Sequence, residues 1–382
     1  MTYTGSAMTP IAMAFGVLDL TGSAATASFV IAAPIVAQIV VLLVGGVLAD
    51  RTSRQRIMVG AESLAALAQL AIATLFLSGL ATVPLLTVLM LLNGVAVAMF
   101  TPAITGFIPQ VVARDQLQAA NAVLGTARST AFMAGAALAG LLVAAFGAGV
   151  TIAIDGVSFG VSAILLAGIR ARRQALTEPA SILQDLKLGF AEFVSHRWLW
   201  TIVLQFSIMV AAFEATFGLL GPAIARADMD GPVDWGIIAA SSGLGTVVGG
   251  LLAIRLRVHR PMLFATNCCF FFAGTSLALA LFAPLPVIAF AAFVGGVAGQ
   301  IFAVIWYTNL QQRIPPNMLS RVSAYDHLGS IALAPLGLVI GGLLFESHGR
   351  VPTMSVAVAA VVIPTLLVLL VPEVRRLRSL ES

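Results

Sequence analysis

Apolar residues in this chain run in blocks of about 20 to 25 with few charges among them, the length a helix needs to cross a ~30 Å hydrocarbon core. Hydrophobic residues make up 60% of the 382 and charged ones only 9%, too few to cover a water-soluble surface. Lipid offers backbone groups no hydrogen-bonding partner, so the blocks must be helices that satisfy themselves. Reading blocks against breakers places spans near 2–20, 24–48, 57–79, 84–107, 118–146, 149–169, 198–222, 233–254, 261–283, 286–310, 320–345 and 351–371. The first span is short, holds Gly5 and Pro10, and lacks a positive flank, which predicts that it begins upstream of Met1. The expected fold is an all-α membrane protein of twelve transmembrane helices.

Sidedness tests the count. With both termini on one face, every Lys and Arg falls on that face except Arg226 and Arg350 opposite and Arg128 within a span. A miscounted span would have scrambled this bias, which identifies the charged face as cytoplasmic; the expected location is a bacterial inner membrane. The net charge of +4 is spread over short loops and forms no basic face for nucleic acid. Lys187 is the only lysine, so a Walker-type nucleotide site is excluded. No zinc-type or serine-hydrolase motif is present, and the reading is no enzyme, no cofactor and no metal. Cys268 and Cys269 are neighbours in an apolar block and read as packing residues.

The chain divides into an N-terminal bundle (1–169), a linker (170–197), a C-terminal bundle (198–371) and a tail (372–382). In the linker Ile182, Leu183, Leu186, Phe190, Phe193 and Val194 recur at helical spacing, a helix that either lies on the membrane surface or packs on the bundle ends. Two segments recur across it. Gly45 to Arg51 matches Gly249 to Arg255, and Leu117/Leu319, Gly135/Gly337, Gly140/Gly342 and Gly147/Gly349 keep one spacing. Both matches point to duplicated six-helix halves with a transport site between them.

After the second span come Gly46, Asp50 and Arg51, then Arg54 and Arg56. This run resembles the cytoplasmic signature of the major facilitator superfamily, with Ser53 and Gln55 in place of its glycine and second basic residue. Phe100 to Ala103, Ile108-Pro109, Leu117, Ala120 to Ala122 and the run from Gly135 to Gly140 are similar to the enterobactin-exporter-like branch, also called transmembrane secretion effectors. Two features depart from antiporters of the superfamily: Gly135-Ala136 replaces a Gly-Pro pair, and the fourth span lacks an arginine. The resemblance implies a gate latch at Asp50, whose carboxylate would face a helix N-terminus. It also implies a central cavity near Asn93, Phe100, Gln205, Gln300, Trp306 and Tyr307.

Ionisable groups at the centre of a membrane helix cost at least ~2.5 kcal/mol each and usually face a partner or a wet cavity. Glu214, Arg128, Asp155 and Asp326 are the proton-coupling candidates. Arg128 needs a counter-charge, and Asp155 on the next span is the nearest in sequence, so a purely structural Arg128–Asp155 pair competes with a coupling role. Glu62 reads as paired near the inner interface, Asp19 as solvated, and His327 beside Asp326 as a possible proton partner. No basic residue follows Arg197 in the span of Glu214, which the resemblance places on the cavity. The expected activity is export of small hydrophobic or amphipathic molecules, with small-molecule substrate, protons and membrane lipid as partners. Import or lipid movement on the same fold, and a non-transporting receptor or assembly subunit, remain the alternatives.

Overall fold

The computed structural model describes residues 2–51, 53–112, 117–169, 182–256, 258–315 and 318–378, and every regular element among them is helical. The first half holds α1 (Thr2–Thr21), α2 (Ala24–Arg51), α3 (Arg54–Leu77), α4 (Val83–Val111) and α5 (Leu117–Gly168). A break at Gly147 divides α5 into rods 117–146 and 148–168. α6 (Ile182–Ser195) follows. α7 (Arg197–Ala215) then continues through a π turn, Thr216–Leu220, into α8 (Gly221–Asp228). Next are α9 (Pro232–Arg255) and a rod formed by α10 (Pro261–Cys268), a 3-10 turn (Cys269–Phe272) and α11 (Ala273–Ala280). The chain closes with α12 (Leu285–Arg313), α13 (Leu319–Ile331) running into α14 (Ala334–His348), α15 (Arg350–Leu369) and the short α16 (Pro372–Arg376).

Each of the twelve expected spans falls on one of these rods. By length and composition, 10 stretches among the described residues can cross a membrane. The difference has two sources: α1, with its hydroxyl-bearing residues, is outside that set, and the rods on either side of Gly147 share the stretch Ala137–Gly168. Prolines start several rods, where the missing N–H costs nothing: Pro84, Pro261, Pro286 and Pro335 all lie in first turns. Large apolar side chains such as Ile254 (80% exposed) and Ile164 (74%) stand free of the protein, a surface suited to lipid rather than water.

Contacts divide the chain into two compact units, Met1–Pro179 with Pro222–Gly236, and Ala180–Gly221 with Ile237–Ser382. In the first, α1 and α3 pack on α5 while α2 and α3 pack on α4. In the second, α7 packs on α14 and α15, and α12 packs on α10 and α11. The second core is aromatic, with Trp306 stacked on Phe302 (6.1 Å) and edge-on to Trp198 (5.6 Å). α6 is fixed by its packing on α13: Gly189 sits against Arg321, and Phe193 and Phe190 lie 6.1 and 5.6 Å from the Tyr325 ring. Leu188 and Val194 remain exposed. The linker helix is therefore packed against a bundle and still presents an apolar edge; the side chains of Ile182, Leu183 and Leu186 lie outside the described residues.

The sequence repeat reappears as geometry. Gly147 (φ 78°, ψ 173°) and Gly349 (φ 75°, ψ −170°) make the same turn, one between the rods of α5 and the other between α14 and α15. That backbone region is open to glycine almost alone. Gly135 and Gly337 repeat a second contact. A Cβ at Gly135 would run into the Thr4 carbonyl of α1, and one at Gly337 into the Ala211 carbonyl of α7, so each glycine lets two helices meet backbone to backbone.

Candidate functional site

Of the five gate-motif residues, Gly46, Asp50 and Arg51 have side chains outside the described residues, although α2 runs to Arg51. Arg54, half-buried, and Arg56, exposed, open α3. The motif's departure at Gln55 has a structural use. Its side-chain amide donates to the carbonyls of Leu166 (2.8 Å) and Ile169 (2.7 Å), closing orphan acceptors at the end of α5.

In the second unit a cleft of ≈ 210 Å³ opens where α7, α9, α11 and α12 meet. Phe213, Phe217 and Phe272 give it aromatic walls, and Ser242, Thr246 and Gln300 place neutral polar groups among them. Phe213 and Phe217 stack at 4.5 Å across the start of the π turn. Such turns insert one residue into a helix and recur at functional sites. Sequence periodicity does not announce this one, because the segment has no breaker before Gly218.

Gln300 is the cavity candidate that lines this cleft. Gln205 points elsewhere, donating to Thr365 (2.9 Å) in a fully packed environment. Trp306 is core, and its indole N–H donates to Asp326 (3.1 Å), so that carboxylate is tied to packing. Tyr307 is exposed. In the first unit Asn93 is buried with its amide nitrogen unpaired, and Phe100 packs on the Ile57 and Ala61 clusters. Glu214, in the last turn of α7, is half-buried and makes no hydrogen bond or ion pair with any described residue. Cys268 and Cys269 are free and buried.

The first unit corrects two expectations. Arg128 does not pair with Asp155; its guanidinium lies 5.2 Å over the Tyr3 ring, a cation–π contact. Asp155, fully buried, instead accepts from the Thr9 hydroxyl (2.6 Å) and the Gln69 amide (3.2 Å). Glu62 is 4% exposed, away from Arg56, with Ser162 of α5 as a polar neighbour. Asp19 is solvated as expected, its side chain 65% exposed, and it also pairs with Arg226 Nε at 2.9 Å; the same guanidinium donates to the Leu18 carbonyl (2.6 Å). Helical rise supplies the depth of a residue but not which neighbouring helix it faces, and the errors at Asp155 and Glu62 share that cause.

Comparison with known proteins places this geometry. The family model described as Major Facilitator Superfamily matches residues 1–324. The multidrug efflux pump Tap of Mycobacterium tuberculosis (strain ATCC 25618 / H37Rv) is 27% identical, with 99% of this chain and 92% of that protein aligned. Macrolide efflux protein A of Streptococcus pyogenes is 25% identical over 90% of this chain and 86% of its own length. Among solved structures, the nucleoside transporter NupG superposes with a TM-score of 0.71 at 14% identity, covering 96% of this chain and 95% of NupG.

Proposed function

Because this chain belongs to the Major Facilitator Superfamily and is a multi-pass membrane transporter, we propose that it exports small amphipathic molecules by alternating access, driven by the proton gradient. Full-length similarity to pumps named for multidrug and macrolide efflux supports the direction and the substrate class. The observation that carries the reading is the cleft beside the π turn. Three aromatic side chains offer apolar area, and Ser242, Thr246 and Gln300 offer hydrogen bonds without charge. Such a surface suits ligands held by shape and burial, with a few polar anchors. The asymmetry of Lys and Arg supports cytoplasmic termini, and the bacterial relatives support a bacterial cell membrane.

Glu214 is the carboxylate we assign to coupling. It lies one residue from Phe213 of the cleft wall, and no described side chain neutralises it. A proton drives transport only if it binds the two states of the cycle unequally, and a carboxylate without a fixed partner responds to changes in its surroundings. Glu214→Gln, which holds the side chain neutral, is expected to abolish gradient-driven accumulation of a macrolide in proteoliposomes while preserving downhill exchange. Full gradient-driven flux in that variant would remove Glu214 from the mechanism.

A further inference from the structure

The first unit contains a buried polar ladder that the cleft does not use. On α3, Glu62 and Gln69 are seven residues apart, two turns or ~10 Å, and so share one face. On the second rod of α5, Asp155 and Ser162 have the same spacing. The two helices pack together, and the pairs meet in reverse order: Glu62 with Ser162, Gln69 with Asp155. Each rung therefore sets one carboxyl against one neutral polar group. Thr9 of α1 completes the second rung.

This ladder is short of donors. Asp155 Oδ1, Gln69 Oε1 and Glu62 Oε2 are all buried and none has a partner among the described residues. All three are acceptor atoms, so what the site lacks is hydrogen rather than another oxygen. Among the described residues no guanidinium supplies it. On α3, Arg54 and Arg56 lie in the first turn, ~9 Å or more below Glu62 by helical rise. On α1, Tyr3 is covered by Arg128 of α5, and Asp19 is held by Arg226. α4, which also packs on α3, has no charged residue.

A metal cation is a poor fit. The two rungs stand too far apart for one ion to touch both carboxyls, and hard cations gather six or more oxygens. On its α1 side Asp155 also has no space, since a Cβ at Gly5 would run into Oδ1 itself. A proton needs neither volume nor further ligands.

We propose that the α1–α3–α5 packing holds a protonation site of its own, with Asp155 as its principal carboxyl and Glu62 as a second one a rung away. Thr9, Gln69 and Ser162 are its positioning residues. A proton bound there turns an acceptor into a donor and removes a buried charge from the helix interface. Its part in the transport cycle rests on the proton-driven reading above, whereas the binding itself does not.

Infrared difference spectroscopy tests it on the whole chain reconstituted in phosphatidylethanolamine–phosphatidylglycerol vesicles. The carboxylic C=O band is followed as pH is stepped, with no substrate present. Asp155→Asn is expected to delete one titrating component and Glu62→Gln another, while Glu214→Gln leaves both in place. If Asp155→Asn does not yield monodisperse protein, Thr9→Val serves instead and is expected to displace the midpoint of the Asp155 component. Spectra of these variants that superimpose on the parent's would overturn the site. So would a component that responds to sodium and not to pH. Loss of the components with drug efflux intact would separate this site from the export reading, and loss of efflux with the components intact would do the reverse.

Discussion

At the scale of single residues, the buried Asp326 depends on one donor from a neighbouring helix, the Trp306 indole N–H. Trp306→Phe keeps most of the aromatic packing and removes that donor. Leaving a buried acceptor unpaired costs about 1–3 kcal/mol, so the thermal unfolding midpoint of the purified variant is expected to fall, and stability equal to the parent's would contradict the pairing. The Asp19–Arg226 contact is of another kind, because both side chains are substantially exposed. Exposed pairs contribute about 0–1 kcal/mol, and Asp19→Asn is expected to leave the midpoint nearly unchanged. At this scale the sequence was only partly legible. That Asp155, Glu214 and Asp326 are embedded acids follows from their apolar surroundings in the chain. Their partners do not, since Thr9, Gln69 and Trp306 come from other helices at azimuths that spacing along one helix leaves open.

At the scale of elements, the repeat makes a paired prediction. Gly147 and Gly349 occupy the same glycine-only backbone region at equivalent turns, so Gly147→Ala and Gly349→Ala should each cost about 1–3 kcal/mol. Similar losses in the two variants, read from thermal unfolding, would support a shared turn; a loss at one position alone would separate them. Gly337→Val is expected to cost more than either, since it drives a branched side chain into the Ala211 carbonyl and parts α14 from α7. The rods themselves were legible because composition and length decide them. The three glycine matches at that spacing were legible too, and two of them became repeated contacts or turns. The π turn after Ala215 was not legible, because its cause is packing around Phe213 and Phe217 rather than a breaker in the chain. Nor was the docking of α6 on α13, which its amphipathic pattern permits but does not distinguish from docking on lipid.

For the whole molecule, the family and the twelve-rod architecture account for a membrane transporter, and the cleft in the second unit supports amphipathic cargo. The apparent conflict between a hydrophobic cargo and embedded acids is resolved if the two occupy different places. The cleft wall is neutral; Glu214 stands beside it, Asp326 lies against Trp306 in the core of the same unit, and Asp155 and Glu62 lie in the other unit. Drug recognition and coupling should then be separable: Phe217→Ala is expected to weaken macrolide binding in the purified protein without altering the response of Glu214 to pH. The most direct test of export is made in everted membrane vesicles, with a radiolabelled macrolide outside and the interior acidified. The parent protein is expected to accumulate the macrolide inside the vesicles, with accumulation collapsing when nigericin dissipates the pH gradient and missing from Glu214→Gln. Accumulation that is indifferent to the gradient, or absent from well-folded parent protein, would contradict proton-driven export.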